Sequence, residues 1–189
     1  FHIPMQSGSN NMLKSMRRRY TSEDYLNVVE NVRNTIPRAS ITADVIVGFP
    51  GESDQDFMDT FSLCSLLNLA DIHLFRYSRR PGTSAHYFEG QVPEVIKRQR
   101  MDSITKLVEY QKKEFWASEV GGAHHVLWES SKVRNGHSYW SGLTETYMPV
   151  ETKSCDSLLN TITPVRLVGL SSHAVEAVVL TDETTNLQL

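Results

Sequence analysis

The sequence predicts an α/β fold in which βα units of an incomplete, partly TIM-like barrel precede a small antiparallel β domain. Strands and helices alternate with short connections over about the first 117 residues, the pattern of a parallel sheet with crossover helices. Beyond Gly121 and Gly122 the sequence changes to short strands separated by turn residues. The length of 189 residues is too short for a complete eight-stranded βα barrel, which takes about 250.

Composition narrows the class of protein further. Hydrophobic residues make up 40% of the sequence and charged residues 22%, which favours a packed core over a disordered chain. No apolar run approaches the roughly 20 residues of a membrane helix, and the first residues lack the basic and apolar parts of a signal peptide. We therefore expect no membrane partner. Because the sequence does not begin with methionine, we expect a fragment of a longer protein.

Charge and cysteine content argue against several classes of protein. Residues 1–117 carry 15 Lys and Arg against 14 Asp and Glu, and residues 118–189 carry 4 against 8, which together give the net charge of −3. Neither part has the basic balance of a protein whose main partner is a nucleic-acid backbone. The two cysteines, Cys64 and Cys155, are far apart, which argues against a disulfide framework, a zinc finger or a metal cluster held by this chain alone.

Local signals place the elements of the first 117 residues. Thr21 and Asp24 form a capping-box pattern, and Pro37 ends the helix that it begins. Ile41–Val47 is apolar without alternation, which is typical of a strand covered on both faces. The predicted elements are a strand tip at His2–Met5, a helix over about Asn11–Arg18, a helix after Thr21, a strand at Ile41–Val47, a helix after Ser53, a strand at Ile72–Tyr77 and a helix over about Glu94–Trp116.

Apolar residues at three- and four-residue spacing mark the buried face of each long helix. They are Tyr25, Val28, Val29, Val32 and Ile36 in the first, Phe57, Phe61, Cys64 and Leu67 in the second, and Ile96, Ile104, Leu107 and Phe115 in the third.

The remaining residues predict a small antiparallel barrel or sandwich of five strands. We place the domain boundary near Ala117–Val120, which gives domains of residues 1–117 and 118–189. The predicted strands are Val126–Trp128, Tyr139–Trp140, Tyr147–Val150, Val165–Val168 and Ala174–Leu180.

Three segments at predicted strand ends could form a binding site. They are Gln6–Ser9, Gly48–Glu52 and Tyr77–Thr83. In βα-repeat enzymes the carboxyl ends of the strands meet a ligand, and glycines there let the backbone approach it. Each segment taken alone is better explained as a turn, but the three together favour a site.

Charged side chains in the first domain allow alternative roles. The basic run Lys14–Arg19 could hold a carboxylate or an RNA phosphate, or could form a solvated face. Asp44 lies inside an apolar strand, where structural pairing is as reasonable as catalysis.

His124 and His125 are adjacent and point opposite ways on a strand, and we predict no metal site among the histidines.

These motifs resemble those of a known family, the radical S-adenosylmethionine methylthiotransferases. The resemblance covers residues 1 to about 117, in order and spacing, through His2–Ser9, Leu13–Arg18, Thr42–Glu52 and Tyr77–Thr83. Gly142–Val150 is similar to the TRAM domain that ends these enzymes, a small β-barrel associated with RNA binding. The resemblance implies later βα units of a radical SAM barrel followed by a TRAM, OB-like barrel.

The family has branches that act on isopentenyladenosine in tRNA, on threonylcarbamoyladenosine in tRNA, or on a ribosomal-protein aspartate. Met16–Thr21 and Asp71–Phe75 look most like the threonylcarbamoyladenosine branch, and Ser7–Ser9 speaks for tRNA. The implied activity converts N6-threonylcarbamoyladenosine next to the anticodon to its 2-methylthio derivative in the cytoplasm, with the tRNA anticodon stem-loop and S-adenosylmethionine as partners. The isopentenyladenosine branch is the alternative.

The same resemblance implies roles for individual residues. Gln6, Ser7 and Ser9 would lie near the ribose or methionine part of the cofactor. Gly48 and Glu52 would bound the stretch that supports it, and the backbone from Phe75 to Tyr77 would face the adenine. The candidates for binding substrate or a carboxylate are Arg18, Arg17 and Arg79.

The family's metal ligands are missing from this sequence. The full-length enzymes hold two 4Fe-4S clusters, one on a C-x-x-x-C-x-x-C loop and one on three cysteines of an amino-terminal domain, and neither set occurs here. We therefore expect a carboxyl-terminal portion that holds no metal, lacks the amino-terminal domain and first strands, and is inactive alone. A non-catalytic tRNA-binding module and an unrelated βα enzyme with a phosphorylated substrate are the competing hypotheses.

The β domain does not have the basic stripe that an RNA-binding module should show. Residues 118–189 carry a net charge of −4, with Lys132, Arg134, Lys153 and Arg166 as their basic residues. The aromatic residues Tyr139, Trp140 and Tyr147 could stack on bases or could belong to the core.

Overall fold

The computed structural model describes residues 1–180, and the last part of the predicted second domain, residues 181–189, lies outside them. The chain divides into two compact units between Lys112 and Lys113. This division falls inside a long helix, Glu94–Glu119, which also contains the predicted boundary after Ala117. The boundary therefore stays a prediction.

A small parallel sheet forms the centre of the first unit. Strands β1 (Thr42–Val47) and β2 (Asp71–Arg76) pair in parallel, and the residues around His2 and Gln6 join β1 through two isolated parallel bridges. The predicted strand tip and both predicted strands of this unit are thereby confirmed.

Helices α1 (Asn10–Ser15), α2 (Ser22–Thr35), α3 (Asp54–Leu67) and α4 (Glu94–Glu119) connect or follow the strands. Both predicted helix starts are confirmed, because Thr21 and Ser53 each close a capping box with the aspartate three residues later. A short 3₁₀ helix, Ser84–Tyr87, follows β2.

One face of the sheet packs against the helices and the other remains partly open. Ala43, Val45 and Val47 are fully buried, whereas Thr42, Asp44 and Ile46 are half-buried. The prediction that this strand is covered on both faces is wrong for the described residues, because its second face carries polar side chains. The core against the first face includes Met5, Val29, Cys64, Leu67, Ile72, Ile104 and Val108.

Two predicted core positions of α2 also proved wrong. Val28 and Ile36 are each 46% exposed, while Tyr25 and Val29 are buried. The helix is in contact with the sheet along a narrower stripe than the apolar spacing indicates. On α3, all four predicted residues are buried or packed against the core, as predicted.

The second unit is a closed five-stranded barrel. Its strands are β3 (Ala123–Arg134), β4 (His137–Thr144), β5 (Pro149–Lys153), β6 (Ile162–Leu170) and β7 (Val175–Val179), in the spatial order β3-β4-β5-β7-β6. The five strands are confirmed, but the prediction of an antiparallel barrel needs correction. β5 and β7 lie next to each other in the barrel and pair in parallel, with Val150 opposite Val175.

The barrel interior is apolar. Trp128, Met148, Val150, Val165 and Leu167 are almost completely buried in it. Gly142 lies where β4 approaches β3 so closely that an added Cβ would overlap the backbone of Leu127. Within residues 113–180, each of the five strands has a paired neighbour on both sides over part of its length.

Among residues 1–180, no helix combines the length and the apolar character that crossing a bilayer requires.

Candidate functional site

A cleft of about 240 Å³ lies in the first unit beside the carboxyl ends of the parallel strands. Three of the predicted site residues, Gln6, Arg17 and Arg18, line it. The structure thus brings the first strand tip and the basic run together at one cleft, although they were predicted as separate features. The other lining residues are Ser15, Met16, Ile46, Phe49, Ser84, Ala85 and Phe88.

Gln6 occupies an unusual backbone position at the floor of this cleft. Its φ is +67°, in the left-handed region that side chains other than glycine disfavour. Two hydrogen bonds to β1 hold it there: its N–H donates to the Asp44 carbonyl (2.7 Å), and its carbonyl accepts from the Ile46 N–H (2.9 Å). Backbone strain that the surroundings enforce at a concave site is typical of a functional position.

The arginines are presented by the end of α1. The Arg18 N–H donates to the Leu13 carbonyl and the Arg17 N–H to the Lys14 carbonyl, which is the Schellman pattern of helix termination. Arg17 has the left-handed φ of +58° at the position that is usually glycine. The turn therefore directs two exposed guanidinium groups to the cleft, at a conformational cost of about 1 kcal/mol.

Ser7 and Ser9 lie beneath the cleft, and their hydroxyls are engaged inside the protein. The Ser7 hydroxyl lies 3.0 Å from that of Thr60, and the Ser9 hydroxyl donates to the Asp56 carboxylate at 2.6 Å. Ser9 also caps α1 by accepting from the Met12 N–H. Both serines are almost fully buried, so these contacts fix the strand tip onto α3. Their contact with a cofactor stays a prediction.

Gly48 and Glu52 belong to a buried polar network that supports the loop after β1. The Glu52 carboxylate accepts from the Gly48 N–H (2.8 Å) and from the guanidinium of Arg100, which also donates to Asp54 at 2.7 Å. Burial raises the pKa of Glu52, while the Gly48 N–H and Arg100 act against that rise. Gly48 has a φ of +74°, and a Cβ there would fall on the Lys97 side chain.

Lys97 extends this network to the end of β2. Its ammonium donates to the Tyr77 carbonyl (3.1 Å) and to Glu94 (2.8 Å), and it lies 5.4 Å from the centre of the Tyr77 ring. The Tyr77 N–H in turn donates to the Val47 carbonyl. Neither Lys97 nor Arg100 was predicted, because basic residues on a polar helix usually indicate a solvated face. Their i, i+3 spacing beside the loop glycines is the signal that could have revealed them.

Phe75 and Arg79 are on the open side of the first unit. Phe75 is 51% exposed and pairs in register with the cleft residue Ile46. Arg79 donates to the His86 carbonyl at 3.1 Å, which links the loop after β2 to the 3₁₀ helix. The sequence prediction did not include the cleft residues of that helix, Ser84 and Ala85, because small residues after a turn carry no chemical signature.

The cysteines do not fit the ligand set of an iron–sulfur cluster. Cys64 is buried in the core beside α2 and the sheet, and burial raises the pKa of its thiol to about 12. Cys155 is exposed in the second unit. Cys64 therefore packs as a small apolar side chain of the core.

The barrel places its aromatic residues in three different environments. Trp140 belongs to the core, Tyr147 is 81% exposed, and the guanidinium of Arg134 lies 5.4 Å from the centre of the half-buried Tyr139 ring. Arg134 also pairs with Glu151 through two hydrogen bonds. One of the four basic residues is thus neutralised within the barrel.

Comparisons with known proteins show what this chain is similar to. Residues 1–64 match the Radical SAM superfamily. This stretch contains the strand tip, the basic run, β1 and the loop that surround the cleft.

Similarity to individual proteins extends along nearly the whole chain. The chain is 34% identical over 95% of its length to the tRNA-2-methylthio-N(6)-dimethylallyladenosine synthase of Ehrlichia chaffeensis, covering 41% of that protein. It is 37% identical over 89% of its length to the synthase of the same name from Pelotomaculum thermopropionicum, covering 38%. It is 34% identical over 88% of its length to the threonylcarbamoyladenosine tRNA methylthiotransferase MtaB of Bacillus subtilis, covering 37%.

These relatives bear the names of tRNA methylthiotransferases of two branches, and the chain spans about two fifths of their length.

Proposed function

We propose that this chain is the carboxyl-terminal portion of a radical SAM methylthiotransferase that modifies an adenosine of tRNA. The observation that carries the proposal is the similarity to tRNA methylthiotransferases over about nine tenths of the chain. Seven of the ten residues that line the cleft fall within residues 1–64, which match the Radical SAM superfamily, and this supports the cleft as part of the reaction site.

The chemistry of the cleft fits one end of S-adenosylmethionine. Arg17 and Arg18 offer guanidinium groups for its carboxylate, the Gln6 amide can bond a polar group, and Phe49 and Phe88 offer apolar surface. When bound and reduced by an iron–sulfur cluster, this cofactor supplies an organic radical. The residues of this chain would bind and orient it, and the buried Glu52–Arg100 pair would fix the loop below it.

We further propose threonylcarbamoyladenosine beside the anticodon as the substrate, with isopentenyladenosine as the alternative. Met16–Thr21 and Asp71–Phe75 support the first branch, and an arginine at the cleft gives the threonyl carboxylate a partner. A tRNA substrate agrees with a cytoplasmic location. The second unit would serve as a TRAM-type module. Because its net charge is −4, attraction to the phosphate backbone would contribute little to its affinity for RNA.

The cluster ligands must come from outside this chain under the proposal. Cys64 and Cys155 offer no such set, so the chain alone should not modify tRNA. Activity would require the part of the longer protein that corresponds to the remaining length of the relatives.

The experiment uses the uninterrupted reading frame that encodes this chain. The encoded protein is reconstituted with iron and sulfide under anaerobic conditions. It is then incubated with S-adenosylmethionine, a reductant and tRNA that carries either threonylcarbamoyladenosine or isopentenyladenosine. Mass spectrometry of the digested tRNA should show a methylthio group in place of hydrogen on threonylcarbamoyladenosine. A product on isopentenyladenosine alone would overturn the branch, and no methylthio product on either tRNA would overturn the function.

Arg18 tests the assignment of the cleft. Arg18→Ala in the reconstituted protein should raise the KM for S-adenosylmethionine or for the tRNA at least 10-fold, because a charged hydrogen bond to a carboxylate contributes about 1.5–3 kcal/mol. The matched control is Arg19→Ala, because Arg19 is exposed and belongs to the same basic run. Equal kinetics for the two variants would remove Arg18 from the site.

A further inference from the structure

Three side chains distant in sequence meet on the open face of the sheet in the first unit. His2 lies beside Thr42 through a parallel bridge, and Asp44 on β1 is directly opposite His73 on β2. Because alternate residues of a strand share a face, Thr42 and Asp44 point away from the helices. The register therefore brings two imidazoles to one carboxylate.

The distances in this triad suit a bound ion better than direct hydrogen bonds. His2 Nε2 and His73 Nδ1 each lie 3.4 Å from a different oxygen of the Asp44 carboxylate, and one donor atom from each residue lies within 4.8 Å of the others. An N–H···O hydrogen bond is shorter, about 2.7–3.2 Å. Two ligand atoms at tetrahedral positions about 2.0–2.1 Å from a zinc ion are about 3.4 Å apart.

Thr42 orients one of the ligands. Its hydroxyl lies 2.9 Å from His2 Nδ1 and 3.5 Å from the Phe1 carbonyl. When the hydroxyl donates its proton to that carbonyl, it accepts from Nδ1–H, and the lone pair of His2 Nε2 then faces the carboxylate. A cation between the two removes this repulsion, and a hydrogen bond at the other ring nitrogen is the usual outer shell of a metal-bound histidine.

The rings and their exposure leave room for an ion and its remaining ligands. His2 and His73 are stacked with 5.3 Å between ring centres. Their side chains are 44% and 56% exposed, and that of Asp44 is 25% exposed, so solvent can fill the open coordination positions. Two imidazoles with one carboxylate favour zinc or a similar transition metal over magnesium or calcium, which prefer oxygen ligands alone.

We propose that His2, Asp44 and His73 form a binding site for a divalent transition-metal ion of the zinc type. The sequence predicts no metal site here, because these residues are far apart in the chain and follow no known ligand spacing. The proposal rests on the placement of these three side chains and does not depend on the proposed function.

Titration with Co²⁺ tests the site in the 189-residue chain. We expect one equivalent to bind with the visible absorption of low-coordinate Co²⁺ bound through nitrogen and oxygen, and Zn²⁺ but not Mg²⁺ to displace it. His73→Ala and Asp44→Asn should each weaken binding more than 10-fold. Thr42→Val, which removes only the orienting hydroxyl, should weaken it about 10-fold.

Two control variants distinguish this site from incidental binding. His137→Ala and Cys155→Ser change exposed potential ligands in the second unit and should leave the titration unchanged. Circular dichroism checks the fold of each variant. If a variant fails to fold, paramagnetic broadening by Co²⁺ in the wild-type NMR spectrum must centre on Asp44 and His73. Broadening elsewhere, no saturable binding, or binding by His73→Ala and Asp44→Asn as tight as that of the wild type would overturn the proposal.

Discussion

The barrel buries an apolar interior around Trp128, whereas the first unit also buries charged side chains next to its cleft. In the barrel, the buried polar residues are His124, Thr144 and Thr152. In the first unit the buried polar set within the described residues includes two acids and two bases, namely Glu52, Asp56, Lys97 and Arg100. Each of these has a hydrogen-bonded partner.

This difference indicates where the protein accepts a cost in stability. Burying a charge is expensive unless it is paired, and replacing a buried pair by apolar residues is often neutral or stabilising. The barrel bears less of this cost, because its strands close around an apolar interior and its buried polar side chains within the described residues are two threonines and His124, which lies 3.0 Å from Glu119. The first unit bears it where the loops after β1 and β2 must hold fixed positions beside the cleft, which is consistent with a functional site there.

Trp128→Ala, in the apolar interior of the barrel, should give the largest loss of stability. Trp128 is fully buried, and its indole N–H donates to the Thr163 hydroxyl at 2.7 Å. Truncation leaves a large cavity and should cost about 3–5 kcal/mol of unfolding free energy, measured by urea denaturation. Val133→Ala on the same strand, at a residue that is 74% exposed, should cost less than about 0.5 kcal/mol. A loss below about 1 kcal/mol for Trp128→Ala would contradict the apolar core.

Arg100→Met, among the buried charges of the first unit, should give the next largest loss of stability. It leaves the buried Glu52 carboxylate without its cation, so we expect a loss of about 3 kcal/mol in unfolding free energy. Arg98→Met changes an exposed arginine of the same helix and is the matched control. The double variant Glu52→Gln with Arg100→Met should recover part of the loss. If it does not, the pair is not the source of the effect.

Asp56→Asn should give the smallest effect, with a defined pH dependence. Burial tends to raise the pKa of Asp56, but hydrogen bonds from Ser53, Ser9 and Asn11 together lower it below its ordinary value. Its carboxylate therefore stabilises the fold fully above about pH 4, and this contribution is lost as the pH falls through the lowered pKa.

At neutral pH, Asp56→Asn should cost about 1–2 kcal/mol, and the difference from wild type should shrink below about pH 4. The control is Asp59→Asn, because Asp59 is exposed on the same helix. Thermal denaturation across this pH range measures both variants, and a difference that grows in acid would contradict the assignment.

Much of the architecture could be predicted from local signals. The capping boxes at Thr21 and Ser53, the parallel strands around Val45 and Ile72 and the five strands of the barrel are all present. The parallel β5–β7 pair could not be predicted, because it joins strands separated by β6 and depends on closure of the barrel.

The site was predicted only in part, for a similar reason. Gln6, Arg17 and Arg18 line the cleft as their place after a strand and a helix indicates. Ser7, Ser9 and Glu52 carry the same local signature, yet their polar groups bond Thr60, Asp56 and Arg100 inside the fold. Whether a hydroxyl or carboxylate at a loop faces a ligand or the interior depends on the helix that packs beneath it.

The sequence by itself determined the elements, since capping, apolar spacing and turn residues act over a few neighbouring positions. Only the tertiary structure decided which polar groups meet. Asp44 looked equally suited to pairing or to chemistry, and its neighbours proved to be His2 and His73 from other strands. Strand register sets that meeting, and register is fixed by packing of the whole sheet against its helices rather than by the residues next to Asp44.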